Sequence, residues 1–90
     1  MTREKVKPVE DKQELKDRPQ ELVLFNDDVN TFDFVIETLI DVCGHDPQQA
    51  EQCAMIAHYK GKCTVKSGTF YELKPPYEEM RNRKLTVSIN

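Results

Sequence analysis

The sequence predicts an α+β domain in which one three-stranded sheet packs against three helices, in the order β-α-α-β-α-β. Three observations point there. A short apolar run closed by turn residues occurs at 21–25 and alternating segments occur at 62–66 and 85–89, while residues from Phe32 and from Pro47 place their apolar positions at helical spacings. The strands do not alternate regularly with helices, so a sandwich of one sheet and its helices fits better than a doubly wound sheet. Finally, 90 residues with 38% hydrophobic content suffice for one core and are too few for two.

Residues 1–19 alternate charge sign, contain Pro8 and Pro19, and carry only scattered apolar residues, which predicts a mobile extension before a core domain at 20–90. The run Glu21-Leu22-Val23-Leu24-Phe25 is short, apolar and followed by a turn cluster, so it reads as a buried strand. From Phe32, the residues Val35, Ile36, Leu39, Ile40 and Cys43 share a helical face, with Asn30 or Thr31 as the N-cap and Gly44 as the stop. Asp46-Pro47 then caps and opens a second helix through Tyr59, whose second half is apolar almost all round and is expected to be covered on several sides. A second strand is expected at 62–66, with Ser67-Gly68-Thr69 as the turn after it. Pro75-Pro76 is positioned to open a short helix to about Arg83, and residues 85–89 alternate with period two as a closing strand.

Composition narrows the function classes. Residues 20–90 hold seven basic and eleven acidic groups, a balance that repels phosphate, so nucleic acid is not an expected partner. Nothing approaches the roughly 18 apolar residues of a membrane span, and the first residues lack the apolar run of a signal peptide, so a cytoplasmic monomer is expected, with no membrane partner. The three cysteines, Cys43, Cys53 and Cys63, are odd in number and sparse, which suits reduced thiols and predicts no disulfide.

Three kinds of site compete. Cys43, His45, Cys53, His58 and Cys63 are zinc-ligand types but lack ligand spacing; Cys53 and His58, five apart on one helix, diverge by roughly 140° at about 100° per residue. A small hydrolase would pair Cys63 with His58 and an acid from Asp27 or Asp28, yet no oxyanion hole or glycine-rich phosphate loop accompanies them. Neither metal nor any other cofactor is expected. The third possibility is a peptide-binding module. Asn26 and Asp28 follow the first strand, Phe32 and Val35 open the first helix, and Ala54, Ala57 and His58 end the second, where small alanines leave room for a guest side chain. Asp27 needs no role beyond the turn.

Specific residues carry a resemblance. Asn26-Asp27-Asp28, then Phe34-Val35 and Leu39, and in the second half His58-Tyr59 with Gly61-Lys62, resemble the ClpS adaptor family over residues 21 to about 66. That resemblance implies the family's three-stranded, three-helix fold, a sandwich similar to the C-terminal domain of ribosomal protein L7/L12. It also implies a non-catalytic adaptor of the N-end rule (N-degron) pathway. Such an adaptor holds proteins by an N-terminal Leu, Phe, Tyr or Trp and hands them to the N-terminal domain of a ClpA- or ClpC-type AAA+ unfoldase.

By the same resemblance, Asn26, Asp28 and His58 match the residues that bond the substrate's α-amino group and first peptide. Phe32, Val35, Ala54, Ala57 and Leu85 match the side-chain pocket. Two departures stand out: Ala54 and Phe32 occupy positions where the family often has methionine. The segment 66–83, with its two prolines, also departs. An ammonium offers only donors, so a carboxylate, an amide oxygen and an unprotonated imidazole nitrogen are suitable partners for it, independently of any relative. The bland reading of each residue, as turn, core or helix end, leaves a peptide-binding module without N-terminal specificity as the alternative.

Overall fold

The computed structural model describes residues 18–90, and all but the last two residues of the expected extension lie outside the described residues. The elements are β1 (Gln20–Phe25), α1 (Phe32–Cys43), α2 (Pro47–Lys60), β2 (Lys62–Gly68), α3 (Phe70–Asn82) and β3 (Val87–Ile89). The order β-α-α-β-α-β is the predicted one. β1 lies in the middle of the three-stranded sheet, antiparallel to β2 on one side and β3 on the other. Among the described residues, no helix is long and apolar enough to cross a membrane.

The core forms where one face of the sheet meets the apolar stripes of the helices. Leu22 and Leu24 from β1, Leu39 from α1, and Leu73 and Met80 from α3 are almost wholly buried in one cluster. Alanines 50 and 57 contribute from α2, Ala54 is buried on the same helix, and these small side chains let it pack closely. Covering of α2 on several sides is not what the structure has: only those three alanines are buried, and Met55, Ile56 and Tyr59 stand exposed. The helix packs by its alanine stripe and the half-buried Cys53, and its larger apolar residues Met55, Ile56 and Tyr59 face outward.

A bulge shapes β2. Leu22 pairs with Lys66 and Val23 with Thr64, so Val65 is the extra residue, and its buried side chain still reaches the core. His45, buried in the α1–α2 connection, donates from Nε2 to the Val65 carbonyl at 2.6 Å. The buried Cys43 thiol touches the Met80 sulfur at 3.7 Å, and burial pushes its pKa up to about 11. All three cysteines are free.

The region after β2 departs from expectation. Ser67 and Gly68 pair with Glu21 and Gln20, so they extend β2 instead of forming a turn. Helix α3 starts at Phe70, not at Pro75, because Thr69 and Glu72 form a capping box: Thr69 Oγ1 accepts from the Glu72 N–H and Glu72 Oε1 from the Thr69 N–H. Pro75 and Pro76 therefore sit inside the helix. An interior proline lacks its backbone donor and crowds the preceding turn, at a cost of about 3 kcal/mol. Pro75→Ala is expected to raise the thermal midpoint by roughly 5 to 10 °C. The expectation discounts the regained helix energy for the looser unfolded chain. An unchanged midpoint would mean that the helix accommodates Pro75 without strain.

β3 is shorter than the predicted 85–89 for a related reason. Leu85 spends its N–H on the Met80 carbonyl and Lys84 its N–H on Arg81, which together close α3 as a Schellman motif. Lys84 takes the left-handed conformation (φ 71°) that glycine usually fills there. Pairing to β1 resumes with the Thr86 carbonyl, which accepts from the Phe25 N–H.

Candidate functional site

One glycine and its carbonyl decide where the polar residues meet. Gly61 ends α2 in a left-handed conformation (φ 98°), donates its N–H to the Ala57 carbonyl, and accepts from the Asn26 N–H with its own carbonyl at 2.9 Å. The end of β1 is thereby tied to the end of α2. Asn26 and His58, far apart in sequence, become neighbours around that link.

The turn after β1 is built by its own side chains. Asp27 Oδ1 accepts from the N–H groups of Val29 and Asn30, and Oδ2 accepts from the Asn30 side-chain amide at 3.0 Å. Asn30 Nδ2 also donates to the Lys84 carbonyl, which anchors the turn to the α3–β3 connection. The N-cap of α1 is Thr31, whose hydroxyl accepts from the Phe34 N–H, so Asn30 serves as a strut and not as the cap.

Asp27 is consequently structural. Burial opposes its charge, but the three hydrogen bonds together outweigh that and hold its pKa below the ordinary 3.8. A depressed carboxylate pKa contributes stability above the ordinary value and loses it as pH falls through the folded value. Asp27→Ala is expected to cost about 1 kcal/mol at neutral pH, as loss of a capping carboxylate does. Urea unfolding at neutral pH and at about pH 3 checks this: the gap between the two proteins should narrow on acidification, since the wild-type carboxylate is then losing its charge.

Asn26, Asp28 and His58 contrast with Asp27. Among the described residues, none of the three side chains has a hydrogen-bond or ion-pair partner; His58 makes only an edge contact with the Tyr59 ring, at 4.7 Å between centroids and 81° between planes. All three line one cavity of about 590 Å³. The inner wall of that cavity is apolar, formed by Leu24, Val35, Ala54 and Ala57, while Phe32 stands at its edge, 40% exposed. An apolar recess bordered by three unengaged polar groups is the combination expected of a ligand site.

Seven of the eight sequence-predicted site residues line this cavity: Asn26, Asp28, Phe32, Val35, Ala54, Ala57 and His58. Leu85 does not. It is buried in the core beside Met80, as the apolar residue that follows a Schellman cap usually is. Conversely, Met55 and Tyr59 also line the cavity and are not among the sequence-predicted site residues. Their signal is present, since they lie four apart on α2, one position beyond the Ala54–His58 pair.

The rival chemistries find little here. Among the described residues, no group of three or more His, Cys, Asp or Glu is placed to hold a metal ion. Cys63 is pushed up to about 12 by burial and by the neighbouring Cys53 thiol, which keeps it protonated at neutral pH, the wrong direction for a nucleophile.

Comparison with known proteins agrees in fold and in sequence pattern. The structure of Agrobacterium tumefaciens ClpS2 bound to L-phenylalaninamide superposes with a TM-score of 0.70 at 19% identity, over 82% of this chain and 96% of that one. The family described as "ATP-dependent Clp protease adaptor protein ClpS" matches residues 15–88, which include the Asn-Asp-Asp turn, both pocket helices and the start of the closing strand. Matching over most of its length, the chain belongs to the ClpS family of ATP-dependent Clp protease adaptor proteins.

Proposed function

We propose that this protein is a non-catalytic adaptor of the N-end rule pathway. It captures proteins by a large hydrophobic N-terminal residue (Leu, Phe, Tyr or Trp) and delivers them to the N-terminal domain of a ClpA- or ClpC-type AAA+ unfoldase. The observation that carries this reading is the set of unengaged acceptors, Asn26, Asp28 and His58, at the border of an apolar cavity. The first side chain of the substrate enters between Val35, Ala54 and Ala57. Its ammonium then donates to the Asn26 side-chain oxygen, the Asp28 carboxylate, directly or through one water, and a ring nitrogen of His58. L-Phenylalaninamide, the molecule held by the Agrobacterium protein, offers an ammonium, an aromatic side chain and a first amide, the three groups this mechanism uses.

The magnitudes suit a carrier that must release its cargo. Burying a Leu or Phe side chain contributes roughly 1.5 to 3 kcal/mol, and each hydrogen bond to a charged group about the same. One such side chain with two or three such bonds, less the cost of ordering the peptide, comes to about 8 kcal/mol, which is micromolar affinity. An internal Leu or Phe lacks the ammonium, leaves the acceptors unpaired and is rejected. No bond in the substrate is made or broken by this chain; ATP-driven unfolding and cleavage belong to its partners.

Ala54 enlarges the pocket and Phe32 partly refills it, so β-branched first residues are less strictly excluded. Fluorescence titration with peptides differing only in a first Phe, Leu, Ile or Ala tests the reading. Phe and Leu should bind at least tenfold tighter than Ala, with Ile detectable between them. Ala binding as tightly as Phe would refute a side-chain pocket, and undetectable Ile would refute the role given to Ala54.

A further inference from the structure

Three thiols gather where α1, α2 and β2 meet, and two of them are paired. Cys63 stands opposite Leu24 in the sheet register, so its side chain lies on the face where Leu24 meets the helices. Cys53, from α2, packs against the same core cluster. The two thiols, both half-buried, are in hydrogen-bond contact. Cys43 differs, being 7% exposed with its sulfur resting on that of Met80. Every α2 residue that lines the cavity, from Ala54 to Tyr59, lies in the chain between Cys53 and Cys63. Neither cysteine lines the cavity itself.

We propose that Cys53 and Cys63 are a modification site, at which hydrogen peroxide oxidises the paired thiols to a disulfide that braces the cavity wall from behind. Cys63 is held protonated by burial and by its neighbour, so Cys53 reacts first. Its thiolate attacks a peroxide oxygen: an S–O bond forms, the O–O bond breaks, and the departing hydroxide takes up the thiol proton as water, leaving a sulfenic acid on Cys53. The Cys63 sulfur, already in contact, then attacks the Cys53 sulfur. The S–S bond forms, the S–O bond breaks, and a second water carries away the Cys63 proton. Two thiols are thus oxidised by two electrons while one peroxide is reduced to two waters. Disulfides that form inside cells are mostly of this transient, redox-responsive kind. The crosslink closes a loop of about ten residues and restricts the unfolded chain, so it stabilises the wall without occupying the site.

The purified chain, reduced or treated with a few equivalents of hydrogen peroxide, tests it. Peroxide should lower the intact mass by two hydrogens, and digestion with trypsin and Glu-C without reductant should leave fragment 52–60 linked to fragment 63–66. The thermal midpoint should rise by roughly 10 °C and return when dithiothreitol is added. Dithiothreitol does not undo methionine sulfoxide, so a reversible rise belongs to the thiols. Cys53→Ala and Cys63→Ser should each lose both the link and the rise. Oxygen added to a thiol without a link, a link through Cys43 or between two chains, an unchanged midpoint in the linked protein, or a rise that persists in Cys63→Ser would each overturn the proposal. Reduced and oxidised wild type share one sequence, so the central comparison does not depend on a variant folding.

Discussion

Asp28→Ala and His58→Ala are each expected to weaken binding of a Phe-initiated peptide by about tenfold, and the two together by up to about a hundredfold. Each removes one acceptor for the substrate ammonium, and a hydrogen bond to a charged group contributes about 1.5 to 3 kcal/mol. The lower end applies, since both side chains are solvent-exposed and water competes for the ammonium. Because they serve one ammonium, the double variant should lose less than the sum of the singles, and that coupling is itself informative. Stability should change little, within roughly 0.5 kcal/mol, since neither side chain has a partner among the described residues. Unchanged affinity in either single variant would remove that residue from the amine site, and a large fall in thermal midpoint would mean that it holds the fold instead.

Much of the fold was legible because apolar periodicity is a direct consequence of burial. The stripe Val35, Ile36, Leu39, Ile40 and Cys43, ended by Gly44, is the helix the structure contains, with Gly44 at φ 72°. The misreadings arose where one local rule opposed another. Pro75-Pro76 looks like a helix start, yet Thr69 and Glu72 already carried the capping-box spacing, and the box determines where α3 begins. Residues 85–89 alternate as a strand does, but Leu85 belongs to the cap of α3. That cap was hidden because its left-handed position holds Lys84 and not the glycine that would mark it.

The site was legible in part. The spacing of Asn26, Asp28 and His58 suggested convergence, but the link that produces it, from the Asn26 N–H to the Gly61 carbonyl, is a tertiary contact without a sequence pattern. Asp27 and Asp28 are chemically identical neighbours. Only the bonds to Val29 and Asn30 distinguish the one that builds the turn from the one left available. Met55 and Tyr59 were hidden by the opposite difficulty: an apolar residue on a helix is expected to be core, and only the exposed surface reveals two that are not.

The residues that take the first side chain are apolar and small, so they supply affinity but little discrimination between an N-terminal and an internal residue. Discrimination falls to the acceptors, and those acceptors need a positive, donor-rich partner. Acetylating the peptide's N-terminus removes the charge and two of the three donors while leaving the first side chain untouched. The amine would then be an amide, whose single N–H cannot satisfy Asn26, Asp28 and His58 together. Calorimetric titration of one Phe-initiated peptide, free and N-acetylated, is therefore the most direct measurement. Capture of the α-amino group predicts micromolar binding of the free peptide and at least a hundredfold loss on acetylation. Equal affinity of the two peptides would contradict it and leave only an apolar groove without N-terminal specificity.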